Sequence, residues 1–214
     1  GGYYEGAGAL RDMVQNHMLQ LLCMIAMEPP VNFDADEIRN KKLDVLKAIR
    51  CFKKTEVHRH AVRGQYGPGW MKGDEVKGYR EEKGVKPISP TETFAAIKFY
   101  VDNWRWKGVP FYVRTGKAMI EKSTIITIDF KSAPDFAFPP EAAETWRANR
   151  LTISIQPHMD IRLRFQAKQP GPHMRLLPVD MAFNYSNNNG KDHPEAYETL
   201  LLDVIEGDAT LFMR

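Results

Sequence analysis

The apolar residues of this chain change their spacing once, and that change limits what it can fold into. Leu10, Met13, Val14, His17, Met18, Leu21, Leu22 and Ile25 fall at i, i+3, i+4, i+7, i+8, i+11, i+12 and i+15. From residue 126 onward the interval is two. Ile126, Ile128 and Phe130 alternate with Thr127, Asp129 and Lys131, and Leu151, Ile153 and Ile155 alternate with Thr152 and Ser154. Ile161, Leu163 and Phe165, then Met181, Phe183 and Tyr185, repeat the pattern. The longer period places one stripe of a helix in a core, and the shorter period one face of a strand. Leading helices followed by half-polar strands predict an α+β domain, with helices packed on one face of a large, mainly antiparallel β-sheet.

The first helix is predicted to be buried all round beyond Met18, where Leu19, Cys23, Met24 and Met27 join the stripe, and to stop at Pro29 and Pro30. A second helix opens at Asp34 with Glu37 as its capping-box partner and buries Ile38, Val45, Leu46, Ile49 and Phe52. Between Arg63 and Pro90 six glycines and many charges follow neither period, which predicts one long connecting loop. Further strands are expected at Phe94 to Val101 and Val109 to Arg114, and a late helix at Pro194 to Ile205.

Composition narrows the function classes. With 43% hydrophobic and 27% charged residues, 214 residues can build a sizeable core. A formal net charge of +3 is small for a dedicated nucleic-acid binder, so no nucleic-acid partner is expected. The longest apolar run, Met18 to Met27, is about half of the roughly 20 residues a membrane span needs, so no membrane partner is expected either. Cys23 and Cys51 cannot form a disulfide framework, which points to a reducing, cytoplasmic setting. The six histidines are scattered, and neither HExxH nor CxxC spacing occurs, so no metal site is expected. Gly-rich phosphate loops are absent as well. A start without Met and a strand-like end, ATLFMR, read as a piece of something longer.

Two stretches could carry chemistry. His17 lies on the apolar stripe beside Arg11, Asp12, Gln15 and Asn16. It fits a core histidine satisfied by one hydrogen bond, the reading that its position favours, or a base that accepts a proton near neutrality. Asp12 is five residues back, about 140° around an ideal α-helix, so the two side chains do not stack. It fits a first-turn carboxylate or a ligand for a polyol hydroxyl. The segment WRWKGVPFYVRTGKAMIEK gathers Arg114, Lys117 and Lys122 about a Gly-containing turn, which suits one small phosphate or a merely solvated cluster.

The stretches GGYYEGAGALRDMVQNHMLQLLCMIAMEPP, VRGQYGPG, GYREEKGV, TETFAAIKFYVDNWRWKGVPFYVRTGKAM, LTISIQP and EAYETLLLDVIEGDATLFMR resemble the C-terminal part of glucose-6-phosphate dehydrogenase, most closely its bacterial form. The resemblance runs nearly end to end and is most specific in RDMVQNH and NWRWKGVPFYVRTGK. It implies that residues 1–214 are the substrate-binding and oligomerisation domain, truncated, of an enzyme whose N-terminal dinucleotide-binding domain is absent from this chain. The reaction implied is oxidation of glucose 6-phosphate at C1 to the lactone, in the pentose phosphate pathway, with hydride passed to NADP. The family's base maps onto His17, and its sugar-binding aspartate onto Asp12. Lys117 and Lys122 become substrate ligands, with Gln156 of LTISIQP as a further one. NADP would be held mainly by the absent domain, the fragment alone would not turn over, and a homodimer through the sheet is implied. The alternative is a non-catalytic sugar-phosphate-binding or dimerisation module descended from the same domain. The second, structural NADP of eukaryotic relatives is not carried over, because Ser123, Thr127 and Ser154 stand where they have basic residues. The acidic pair that commonly follows QP is also replaced, by His158 and Met159.

Overall fold

The structure is a computed structural model that describes residues 2–132, 134, 139, 142, 146–185 and 196–212. The chain divides into two compact units, one of residues 1–120 and 194–214 and one of residues 121–193.

In the first unit the opening run is helical on both sides of a break at Gly8, and it is not uniformly wound. Helix α1 (Gly2–Gly8) leads into a π-helix (Ala9–Met18), which passes directly into α2 (Leu19–Ala26). Helix α3 (Ala35–Ala48) and a single turn, α4 (Val57–His60), follow. Strands β1 (Ala61–Gly64), β4 (Phe94–Tyr100) and β5 (Pro110–Gly116) make an antiparallel sheet in the order β1-β4-β5. Residues of α2 and α3, Leu22, Cys23, Ala26 and Val45, pack with Val101, Phe99, Phe111 and Val113 in the main core. A second cluster joins Ala9 and Val14 of the π-helix to Ala95, Ile97 and Phe99 of β4. Complete burial of a side chain such as Val101 contributes roughly 1.5 to 3 kcal/mol. The Trp106 indole donates to the carbonyl of Ala26 at 2.9 Å, tying the end of α2 to the β4–β5 connection. Helix α5 (Ala196–Glu206) lies where the late helix is expected, and the predicted start at Asp192 or His193 lies outside the described residues.

Three expectations need correction. Met24 is 51% exposed, so the second half of the first helix is not buried all round. Asp34 is the N-cap of α3 but makes no capping bond; its carboxylate accepts from the Asn32 side chain, and Leu46 faces solvent. The segment read as one long loop contains a hairpin, β2 (Gly69–Met71) and β3 (Asp74–Val76). Its Lys72-Gly73 turn takes both residues to positive φ, 54° and 94°, as a tight two-residue hairpin turn requires. Three-residue strands are too short for period two to register.

The described residues of the second unit form a four-stranded antiparallel meander, β6 (Thr124–Asp129), β7 (Arg150–Gln156), β8 (Asp160–Lys168) and β9 (Leu176–Asn184), paired in chain order. Register puts Ile128, Leu151, Leu163 and Met181 in one apolar row, and Ile126, Ile153, Ile161 and Phe183 in the next. The opposite face is polar. There Arg150 pairs with Asp129, Arg164 with Asp180, and Ser154 donates to Asp160 at 2.9 Å. A cavity of about 240 Å³ on this face is lined by Arg150, Thr152, Ser154, Asp160, Arg162 and Arg164. The α+β class is as expected, but among the described residues the antiparallel strands are distributed over three sheets.

Candidate active site

The π-winding decides how His17 and Asp12 are presented. Its hydrogen bonds reach back five residues, as where the Leu19 N–H donates to the carbonyl of Val14. Bonds that span five residues make positions five apart neighbours, much as α-winding does for positions four apart. The separation of about 140° expected for Asp12 and His17 belongs to an α-helix. Under π-winding the angle between the two positions is smaller than that. His17 is exposed and Asp12 half-buried, so His17 is not a core histidine. Its place on the apolar stripe was an artefact of assuming 3.6 residues per turn.

The helix is clamped at its start. Gly8 adopts φ 72° and ψ 174°, a region open essentially only to glycine. The Ala9 N–H donates to the backbone carbonyl of Glu92 and the Leu10 N–H to its carboxylate, each at 3.0 Å. One turn earlier, the Glu5 carboxylate accepts from the Tyr79 hydroxyl at 2.8 Å and the Ser89 hydroxyl at 2.9 Å. Those bonds, Ser89 first, hold the Glu5 carboxyl below its ordinary value, and burial together with Glu5 pushes the Tyr79 phenol up.

Lys117 follows β5, and its N–H donates to the carbonyl of Thr93 at 2.8 Å. Its ammonium stands over the Tyr4 ring, 4.9 Å from the centroid. Burial pushes the Tyr4 phenol up to about 12, with smaller contributions from Asp12, Glu92 and Tyr66. The Tyr4 hydroxyl is buried and finds no partner among the described residues. Asp12, His17 and Lys117 thus belong to one unit, on elements joined through Tyr4 and through residues 92–93.

Lys122 and Gln156 belong to the other unit. Both are exposed. Thr124 is the register partner of Gln156, so Lys122, two residues before it, lies at the same end of the β6–β7 pair. Arg114 is on β5 opposite Ala96, so it and Lys117 are carried by a different unit from Lys122.

The model of the family described as glucose-6-phosphate dehydrogenase, C-terminal domain, matches residues 1–214. The chain belongs to this family. It is 49% identical over its whole length to glucose-6-phosphate 1-dehydrogenase of Mycolicibacterium smegmatis, and 46% identical over 98% of its length to that of Bacillus subtilis. It covers 43% of each, so the chain spans less than half the length of these relatives. Among solved structures it is similar to a glucose-6-phosphate dehydrogenase in complex with its substrate glucose 6-phosphate, with a TM-score of 0.87 and 37% identity. That match covers 100% of this chain and 42% of the other. The glucose-6-phosphate 1-dehydrogenase of Mycobacterium avium matches with a TM-score of 0.80 and 35% identity, over 99% of this chain and 42% of that one.

Motif reading singles out His17, Asp12, Lys117, Lys122 and Gln156 but not the residues that hold the first three in place. Tyr4 and Glu92 are each legible only as one letter of a family stretch, with no spacing to mark either. Gly8, directly before the helix carrying RDMVQNH, was the one available signal.

Proposed function

We propose that this chain is the substrate-binding part of an enzyme that oxidises glucose 6-phosphate at C1 to the lactone. The observation that carries the reading is the match of the chain to the dehydrogenase family from end to end, with His17 exposed on the π-helix that also carries Asp12. A neutral imidazole accepts the proton of the C1 hydroxyl. The electron pair of the O–H bond becomes the new C=O bond as the C1 hydrogen departs with its own pair. Asp12 accepts hydrogen bonds from sugar hydroxyls and orients the ring. Lys117 binds the phosphate or its neighbouring hydroxyls through charge-assisted hydrogen bonds, and Lys122 and Gln156 serve as further substrate ligands.

NADP, the expected hydride acceptor, finds no cradle among the described residues. Every described strand pair is antiparallel, and no parallel pair with a crossover helix is present among them. Coenzyme binding is assigned mainly to a part of the protein outside this chain, as membership of the family implies, and the chain by itself is expected to be inactive. The working protein is a cytoplasmic homodimer joined through the second unit, where Leu177, Met181 and Phe183 of edge strand β9 leave apolar surface exposed.

The test is His17→Asn in the full-length protein. A general base contributes typically 10²-fold to 10⁴-fold, so kcat should fall by about that much while KM for glucose 6-phosphate stays nearly constant. A modest kcat loss with a large rise in KM would remove His17 as the base. Undiminished turnover, or a parent protein that binds the sugar phosphate without oxidising it, would leave a non-catalytic module.

A further inference from the structure

We propose that Glu92 is a positioning residue: it pins the first turn of the π-helix and so sets the azimuth at which Asp12 and His17 face the substrate. The inference rests on the function proposed above. The first N–H groups of any helix have no acceptor within it. Here the Ala9 and Leu10 N–H groups are both taken by one residue, by its backbone carbonyl and its carboxylate, each at 3.0 Å. The Glu92 side chain is only 12% exposed. Its second carboxylate oxygen lies 4.0 Å from the Arg63 guanidinium. Gly8 is shaped to this contact, since a Cβ there would stand 2.6 Å from Glu92 Oε1 and 2.9 Å from Cδ.

The pin is itself immobile. Glu92 lies two residues before β4, and Thr93, 1% exposed, donates its N–H to the carbonyl of Gly64 at 2.9 Å. The Thr93 hydroxyl oxygen accepts from the Tyr66 N–H at 2.9 Å, and its carbonyl from the Lys117 N–H at 2.8 Å. Residues 92 and 93 therefore hold the helix of Asp12 and His17 on one side and the backbone of Lys117 on the other. A π-helix is rarer than an α-helix because its hydrogen-bond geometry is less favourable, so ten residues of it persist only where contacts over-determine the winding. Ala9 and Val14 packed on Ala95 supply part of that constraint, and Glu92 fixes the start. Released there, the helix can rewind toward α, and Asp12 and His17 turn apart.

The experiment is a variant series in the full-length enzyme. A misplacement of about 1 Å can cost about 10²-fold, so Glu92→Ala should lower kcat by about 10-fold to 100-fold with KM for NADP unchanged. Glu92→Gln keeps a carbonyl oxygen for the Leu10 N–H and should restore kcat to within about three-fold of the parent. Glu92→Asp keeps the charge but withdraws the acceptor and should be as slow as the alanine variant, which keeps the comparison alive should Glu92→Ala misfold. Gly8→Ala should act in the same direction, and the double variant Gly8→Ala/Glu92→Ala should lose less than the product of the two single losses. A folded Glu92→Ala or Glu92→Asp enzyme with parental kcat, or a glutamine variant as slow as the alanine variant, overturns the proposal. Should His17→Asn abolish turnover while the Glu92 series remains parental, only the positioning role falls.

Discussion

The Lys117 ammonium stands 4.9 Å from the centre of the Tyr4 ring, so a cation proposed to meet the substrate is held by an aromatic face on α1. Such a contact contributes about 0.5 to 1 kcal/mol at exposed sites and leaves the donors of the ammonium available to a ligand. Tyr4→Leu in the full-length enzyme is expected to raise KM for glucose 6-phosphate about two-fold to five-fold. Tyr4→Phe keeps the ring and removes only a buried hydroxyl that has no partner among the described residues. It should leave KM unchanged and the melting temperature equal or higher, because an unsatisfied buried hydroxyl carries a desolvation cost. Steady-state kinetics and thermal melts on the two variants check this, and equal KM values for both would remove the cation–ring contact from substrate binding.

Lys117→Ala tests the phosphate assignment directly. A charge-assisted hydrogen bond contributes roughly 1.5 to 3 kcal/mol, so kcat/KM for glucose 6-phosphate should fall by about 10-fold to 100-fold, with KM for NADP little changed. Unphosphorylated glucose, to whatever extent it turns over, should be much less affected. Equal losses on the two substrates would assign Lys117 to the sugar or to local structure.

The periods of the sequence located α2, α3 and the strands β6 to β9 because each has one continuous apolar face, and spacing encodes a face. They failed at the helix that carries His17 for a specific reason. Reading His17 at i+7 from Leu10 assumes α-winding, whereas π-winding moves later residues to other azimuths, so an exposed histidine was read onto a buried stripe. The cause of the winding is tertiary: Glu92 lies 82 residues from the Leu10 N–H that it accepts. No local pattern reports a bond of that separation. The candidates His17, Asp12 and Lys117 rest on family motifs, whereas Tyr4 and Glu92 are not singled out by the sequence, because their contacts exist only once α1 meets the segment before β4.

The pH dependence of stability should carry the signature of Glu5. Its carboxylate accepts from Ser89 and Tyr79, which lowers its pKa from the ordinary value of 4.5. A carboxyl whose pKa is lowered on folding binds its proton more weakly in the folded state. Its stabilisation is therefore complete above about 4.5 and is lost as the pH falls through the lower, folded value. Glu5→Gln should melt earlier than the parent at neutral pH, and the gap should close on acidification through the carboxylate range. Thermal melts of both proteins across that range decide it, and a gap independent of pH would mean that packing, not ionisation, carries the contribution of Glu5.

The apolar face of β9 supplies the last expectation. Leu177, Met181 and Phe183 are 47%, 63% and 45% exposed, and register places them on the side of the sheet opposite Arg162 and Arg164. An exposed apolar row on an edge strand invites a partner surface, and the proposed homodimer would cover it. Met181→Glu puts a charge into that row. At concentrations where the parent full-length protein is dimeric, the variant should elute and scatter as a monomer, with its melting temperature shifted only by the loss of association. Phe183→Glu should behave alike, because Phe183 occupies the same face two residues on, while Asp180→Ala on the polar face should leave the dimer intact. Light scattering coupled to size exclusion reads all three. A Met181→Glu protein that remains dimeric would place the subunit contact elsewhere, and a dimer lost only in Asp180→Ala would move it to the arginine-lined face.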